Sequence, residues 1–207
     1  MTKIKLCGLS RMEDIAFANA ARPDLIGFVF AEESRRYVSP ETAKELKAAL
    51  SPEISAVGVF VNAPVKTVAA LLSSGVIDLA QLHGGEDERY IAELQKYTKK
   101  PLIQAFRLAS AADVERAKAS LADYILLDNG SGGTGETFDW SLLKAVGRPF
   151  FLAGGLDCEN VQTALSAVCP SAVDVSSGVE TDGKKDLKKM TAFVQAVRKF
   201  DAGGTNT

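Results

Sequence analysis

The sequence predicts an α/β chain closed into a (β/α)8 TIM barrel, eight parallel strands with outer helices. Three observations predict it. Short apolar or alternating runs that read as strands recur eight times, spaced by about 20–28 residues. Longer periodic segments with helix-start signals lie between them, the rhythm of strand–helix–strand crossovers. Side chains able to do chemistry stand at the far ends of these runs, where such barrels keep their sites. An open doubly wound sheet is the structural alternative. It would want fewer strands or longer helices, and no dinucleotide fingerprint follows the first strand.

In order, the first strand is Ile4–Cys7, in Lys3-Ile4-Lys5-Leu6-Cys7-Gly8. Ser10 follows as a helix cap with Glu13 three positions on, so a helix is expected from Arg11 to Ala21. Leu25–Phe30 is the second strand. Ser39-Pro40-Glu41 then opens a helix with a cap, a proline at the first position and an acid in the first turn. Ala56–Val61 is the third strand, and Asn62-Ala63-Pro64 opens a helix ending near Ser74. Asp78–His83 is the fourth strand, with a helix over Glu86–Tyr97. Leu102–Arg107 and Ala111–Leu121 make the fifth unit.

Tyr124–Asp128 is the sixth strand. A glycine-rich loop, Asn129–Thr137, separates it from a short helix begun by Asp139, and such a loop is expected to order over a substrate as a lid. Phe150–Ala153 and Glu159–Val168 form the seventh unit. Ala172–Ser176 is the eighth strand, Asp186–Phe200 the last helix, and residues 201–207 a frayed tail of a single domain spanning 1–207.

The bulk properties exclude several functions. A length of 207 residues suits one core, and 46% hydrophobic with 24% charged residues is ordinary for a globular protein. A formal net charge of -2 argues against nucleic acid or anionic membrane as a partner. No apolar run is long enough to span a membrane, and the start lacks a signal peptide's apolar core, so a cytoplasmic protein is expected. Three cysteines without paired spacing do not form a disulfide framework, and a single histidine, His83, disfavours a histidine-based metal site. The charged helix faces favour a monomer.

The strand ends give a short list. Ala153-Gly154-Gly155 and Ser176-Ser177-Gly178 end adjacent strands, where backbone N–H groups can approach a phosphate closely. Cys7 and Asp128, on strands one and six, face each other across the mouth as a base or nucleophile and an acid. The bland alternatives are a small buried hydrophobe for Cys7 and a loop anchor for Asp128. In Ser34-Arg35-Arg36-Tyr37 one guanidinium can grip a carboxylate, and the other is exposed charge. Asp174 alternates with Val173 and Val175, so it points into the mouth. His83 reads as a structural hydrogen-bonding residue, and Cys158 and Cys169 as packing.

Taken together, the motifs resemble the phosphoribosylanthranilate isomerase family of tryptophan biosynthesis over essentially the whole chain. The matching segments are Lys5-Leu6-Cys7-Gly8-Leu9, Gly27-Phe28-Val29-Phe30 with Ser34-Arg35-Arg36-Tyr37, Val57–Asn62 and Gln81-Leu82-His83-Gly84. They continue with Leu126-Leu127-Asp128, Gly132-Gly133-Thr134-Gly135 with Phe138-Asp139-Trp140, Ala153-Gly154-Gly155-Leu156, and Val173-Asp174-Val175-Ser176-Ser177-Gly178-Val179-Glu180.

The resemblance implies an Amadori rearrangement of N-(5-phosphoribosyl)anthranilate without metal or organic cofactor. By the same resemblance Asp128 is the general acid and Cys7 the general base. Arg36 holds the anthranilate carboxylate, and the backbone at Gly154, Gly155, Ser177 and Gly178 holds the phosphate. Asp174 bonds a substrate hydroxyl or the anthranilate nitrogen. Competing readings are another sugar-phosphate barrel enzyme or a barrel that binds phosphate and carboxylate without chemistry. The last is disfavoured because binding needs neither a thiol nor a facing acid.

Overall fold

The structure, a computed structural model, describes residues 1–128, 143 and 145–203. Eight parallel strands close into a barrel in chain order: β1 (Lys3–Cys7), β2 (Leu25–Val29), β3 (Ser55–Phe60), β4 (Leu79–Leu82), β5 (Leu102–Arg107), β6 (Tyr124–Asp128), β7 (Phe150–Ala153) and β8 (Ala172–Val175). The helices α1 (Met12–Ala21), α2 (Pro40–Ala49), α3 (Val65–Ser73), α4 (Glu88–Leu94), α5 (Ala111–Ala119), α6 (Val161–Val168) and α7 (Leu187–Gly203) alternate with the strands along the chain. The expected lid loop and the short helix begun by Asp139 lie outside the described residues, as do residues 204–207.

Period-two alternation sorts the strands into two apolar clusters. Ile4, Leu6, Ile26, Phe28, Val173 and Val175 join the helices in the larger one. Leu25, Val57, Ile103, Leu126, Phe151 and Ala172 fill the barrel interior. Lys5 and Cys7 stand on the interior face of β1, and cross-strand register sets Lys5 beside Asp174 and Cys7 beside Gly27. The apolar plug therefore occupies one end of the barrel and leaves the other to polar side chains.

The helix starts are chemically specified. Ser39 caps α2, its hydroxyl accepting from the Thr42 N–H at 3.1 Å, with Pro40 at the first helical position. At α1 the expected cap is corrected. The helix begins at Met12 with Arg11 as the flanking residue, and the acid that reaches back is the buried Asp14, not Glu13. Its Oδ2 accepts from the Ser10 and Arg11 N–H groups at 2.9 and 3.0 Å. Asp14 wins because it lies on the buried face with Ile15 and Ala18, where its carboxylate must find donors.

Two further differences concern the carboxyl-terminal part. The tail expected from residue 201 is helix through Gly203, and Asp201 accepts from the Thr2 N–H at 2.7 Å and the Thr2 hydroxyl at 3.0 Å. After β8 the chain makes a 3-10 turn (Ser177–Val179) and a small antiparallel hairpin, β9 (Glu180–Thr181) and β10 (Lys184–Lys185). Asp182 and Gly183 turn it with φ of 51° and 74°, the left-handed pair that two-residue hairpins favour.

Candidate active site at the carboxyl ends of the strands

A cavity of about 340 Å³ opens at this polar end. Cys7, Arg36, Asp128, Gly154, Gly155, Asp174 and Ser177 all line it. Seven of the eight residues expected from the sequence thus share one space. Gly178 is the exception among the lining residues. A side chain there would run into the Leu156 carbonyl, so the glycine lets the turn after β8 pack against the backbone after β7.

Cys7 is buried and free. A Cβ at Gly27 would stand 2.6 Å from its Sγ, so the bare backbone of β2 makes the room the thiol occupies. Lys5, one strand period below it, is fully buried and donates to both Asp174 oxygens at 3.0 Å. Burial works against the charge on Lys5, but Asp174 and Cys7 outweigh it and the lysine pKa ends above its ordinary value. Burial pushes the Cys7 thiol up; Lys5 pulls it back, and Asp174 adds to the rise. The resting thiol is therefore protonated at neutral pH, with an ammonium beside it able to hold a thiolate.

Asp128 closes β6 at the same mouth, with His83 Nε2 3.7 Å from its Oδ2. The other imidazole nitrogen, Nδ1, lies 2.8 Å from Gln81 Nε2. Gln81 is buried in β4, and its Oε1 has no hydrogen-bond partner among the described residues. His83 thus has the hydrogen bond expected of it, to Gln81, and also stands beside Asp128. Gln81 and Lys5 were missed in the sequence, although each sits two positions before a strand-end residue and so shares its face.

Gly154 and Gly155 have φ of 95° and 64°, a left-handed turn that a side chain would strain. The Asn160 amide fixes it by donating to the Gly155 carbonyl at 2.8 Å. Arg36 Nε and Nη2 donate to the two oxygens of Glu180 at 2.7 and 2.9 Å. Arg35 joins the same carboxylate at 2.9 Å from a largely exposed position. Of the cysteines outside the site, Cys158 is half-buried, whereas Cys169 is exposed at the left-handed end of α6 and does not pack a core as expected.

A family model described as N-(5'phosphoribosyl)anthranilate (PRA) isomerase matches residues 4–196. The chain belongs to that family. A curated relative from Endomicrobium trichonymphae, an N-(5'-phosphoribosyl)anthranilate isomerase, is 46% identical over 202 residues, covering 96% of this chain and 99% of its own. The crystal structure of the Thermotoga maritima phosphoribosyl anthranilate isomerase superposes with a TM-score of 0.87 at 37% identity, over 96% of this chain and all of the other (100%). A second isomerase structure, in complex with reduced 1-(o-carboxyphenylamino)-1-deoxyribulose 5-phosphate, gives 0.85 at 36% identity, over 96% and 100% of the two chains. A third structure is of monomers generated from the dimeric T. maritima isomerase, with a TM-score of 0.84 at 36% identity over 96% and 100%. No described helix is long and apolar enough to cross a membrane.

Proposed function

We propose that this isomerase of tryptophan biosynthesis rearranges N-(5'-phosphoribosyl)anthranilate by acid–base chemistry between Asp128 and Cys7. Asp128 protonates the furanose ring oxygen, and the ring opens to a Schiff base between the sugar C1 and the anthranilate nitrogen. The positive nitrogen makes the C2 proton acidic, and Cys7 removes it. The enolamine then takes a proton at C1 as its C2 hydroxyl gives one up, and becomes the ketone, 1-(2-carboxyphenylamino)-1-deoxyribulose 5-phosphate. No redox partner enters, because the hydrogen gained at C1 balances the one lost at C2. The chemistry needs no metal or organic cofactor.

The observation that carries this reading is the presence of a buried thiol and a carboxyl group in one cavity that a guanidinium and a glycine turn also line. Arg36 takes the anthranilate carboxylate. The backbone at Gly154, Gly155, Ser177 and Gly178 takes the phosphate. Asp174, paired with Lys5, keeps lone pairs for a substrate hydroxyl or the anthranilate nitrogen. Lys5 supplies the positive charge that a thiolate at Cys7 needs, since burial alone disfavours it. The protein is proposed to act as a cytoplasmic monomer; light scattering of the purified chain checks the second point.

The test follows the fluorescence of phosphoribosylanthranilate made in situ from anthranilate and activated ribose. Wild type converts it rapidly, and Cys7→Ala slows kcat by about a hundredfold or more, the scale of a lost acid–base group. Activity surviving in Cys7→Ala returns Cys7 to packing. A folded wild type that binds but does not convert leaves only the binding-barrel reading.

A further inference from the structure

The Glu180 carboxylate is unusual in its surroundings. Its side chain is only 5% exposed, yet it receives Arg36 Nε and Nη2, Arg35 Nη2 and, at 2.7 Å, Lys185 Nζ. Three cations meet one anion. Burial works against ionisation, but Arg36 and Lys185 hold the carboxyl below its usual range, and it is charged at neutral pH. Lys185 is itself buried and also donates to the Ser176 carbonyl at 2.9 Å, while the Ser176 hydroxyl donates to the Cys7 carbonyl at 3.0 Å.

Arg36 is fixed from a second side. Gly8, at φ 80°, lies directly under the Arg36 Cδ, where any side chain would collide. A guanidinium is planar and carries five N–H donors in a rigid fork. Glu180 takes the Nε edge and one Nη2 donor, Gly8 sets the path of the aliphatic stem, and Arg36 lines the cavity with donors to spare.

We propose that Glu180 is a positioning residue for Arg36. It pre-organises the guanidinium to receive a substrate carboxylate, and the hairpin β9–β10 exists in part to deliver it. The inference rests on Arg36 being the carboxylate grip. Pre-organisation of this kind lowers the ordering cost of binding and is read in KM, since Glu180 touches no reacting atom. A glutamine at this position keeps the shape but turns an amide N–H toward a guanidinium N–H, which spoils one of the two bonds.

The experiment is a double-mutant cycle of Arg36→Met and Glu180→Gln on the full chain, with kcat and KM read by substrate fluorescence and inorganic phosphate as a competitive inhibitor. Glu180→Gln is expected to raise KM about tenfold, as for one lost charge-assisted bond. Its kcat stays within about threefold, and phosphate inhibition is unchanged. The double variant is no worse than Arg36→Met alone. Additive losses, or weaker phosphate inhibition in Glu180→Gln, would overturn the inference, because both mean a general loosening of the loop after β8. If Arg36→Met raises KM and Glu180→Gln does not, the inference fails and the carboxylate grip stands. If Arg36→Met leaves KM unchanged, the grip itself fails and takes the inference with it. Glu180→Asp, with a shorter carboxylate, provides the same comparison if Glu180→Gln folds poorly, and is expected to show an intermediate KM.

Discussion

The two ends of the barrel use the same residue type for opposite purposes. At the amino-terminal end, Asp24, Asp78 and Asp123 each accept from the first backbone N–H groups of the neighbouring strand: Ile4 at 2.9 Å, Ala56 at 2.8 Å and Leu102 at 2.8 Å. Asp24 adds Lys3 and Arg198, and Asp78 adds Lys47. At the carboxyl-terminal end, Asp128 and Asp174 line a cavity with a thiol and face side-chain cations or an imidazole. The amino-terminal end also has a cavity, of about 390 Å³ against about 340 Å³, lined largely by apolar residues such as Leu25, Phe150 and Phe151. Size therefore does not mark the active end. What marks it is that the aspartates there share a space with a thiol and a guanidinium, while those at the other end, whatever side-chain cations they add, each satisfy a strand's backbone N–H.

The sharpest break in the comparison comes at Lys5. Lys5→Met leaves the Asp174 carboxylate buried and unpaired, and should cost about 4 kcal/mol of unfolding free energy by urea titration. Adding Asp174→Leu to that variant recovers most of the stability and none of the activity. If the pair can be removed without loss of turnover, it belongs with the structural acids of the other end.

Gly27→Ala ranks next. Its methyl would push against the Cys7 sulfur, so kcat should fall about a hundredfold, the penalty for a reacting group misplaced by an ångström. Mass spectrometry of iodoacetamide labelling at Cys7 reads the displacement independently of turnover.

Asp24→Asn should do the reverse: lose about 2 kcal/mol of stability at pH 7 and keep kcat within about twofold. Burial opposes the Asp24 charge, yet bonds from Lys3, Arg198 and the Ile4 N–H leave its folded-state pKa below the ordinary value. A depressed pKa stabilises fully above the unfolded value of about 3.9 and is lost as pH falls through the folded value. The gap between thermal scans of variant and wild type should accordingly begin to close below about pH 4 and vanish below the folded-state pKa. A gap that persists at pH 2 would mean the bond geometry matters and the charge does not.

The smallest effect is expected at Arg35, whose side chain is 62% exposed. Arg35→Ala should change stability by no more than about 0.5 kcal/mol and KM by no more than about twofold. A larger rise in KM would move part of the carboxylate grip from Arg36 to its neighbour.

Sequence pattern carried the barrel because each strand is a short apolar run whose alternation survives in the two clusters, and because Ser39-Pro40 is a local helix-start signal. The strand ends carried most of the cavity for the same reason. Lys5, Gln81 and Glu180 were not picked out. Lys5 is one of two lysines that alternate with Ile4 and Leu6, and only closure of β1 against β8 shows that it has a buried partner 169 residues away. Glu180 reaches Arg36 across 144 residues through a hairpin that belongs to no strand–helix unit. Long-range ion pairs of this kind leave no periodic trace in the chain.

The most direct test of the account compares one aspartate from each end, Asp128→Asn and Asp24→Asn, by kcat under saturating phosphoribosylanthranilate. The account predicts a loss of about a hundredfold or more for Asp128→Asn, with a melting temperature close to wild type, beside near-normal turnover for Asp24→Asn. Turnover by Asp128→Asn within a few-fold of wild type would contradict it, and the ring-opening proton would have to come from another group at the mouth.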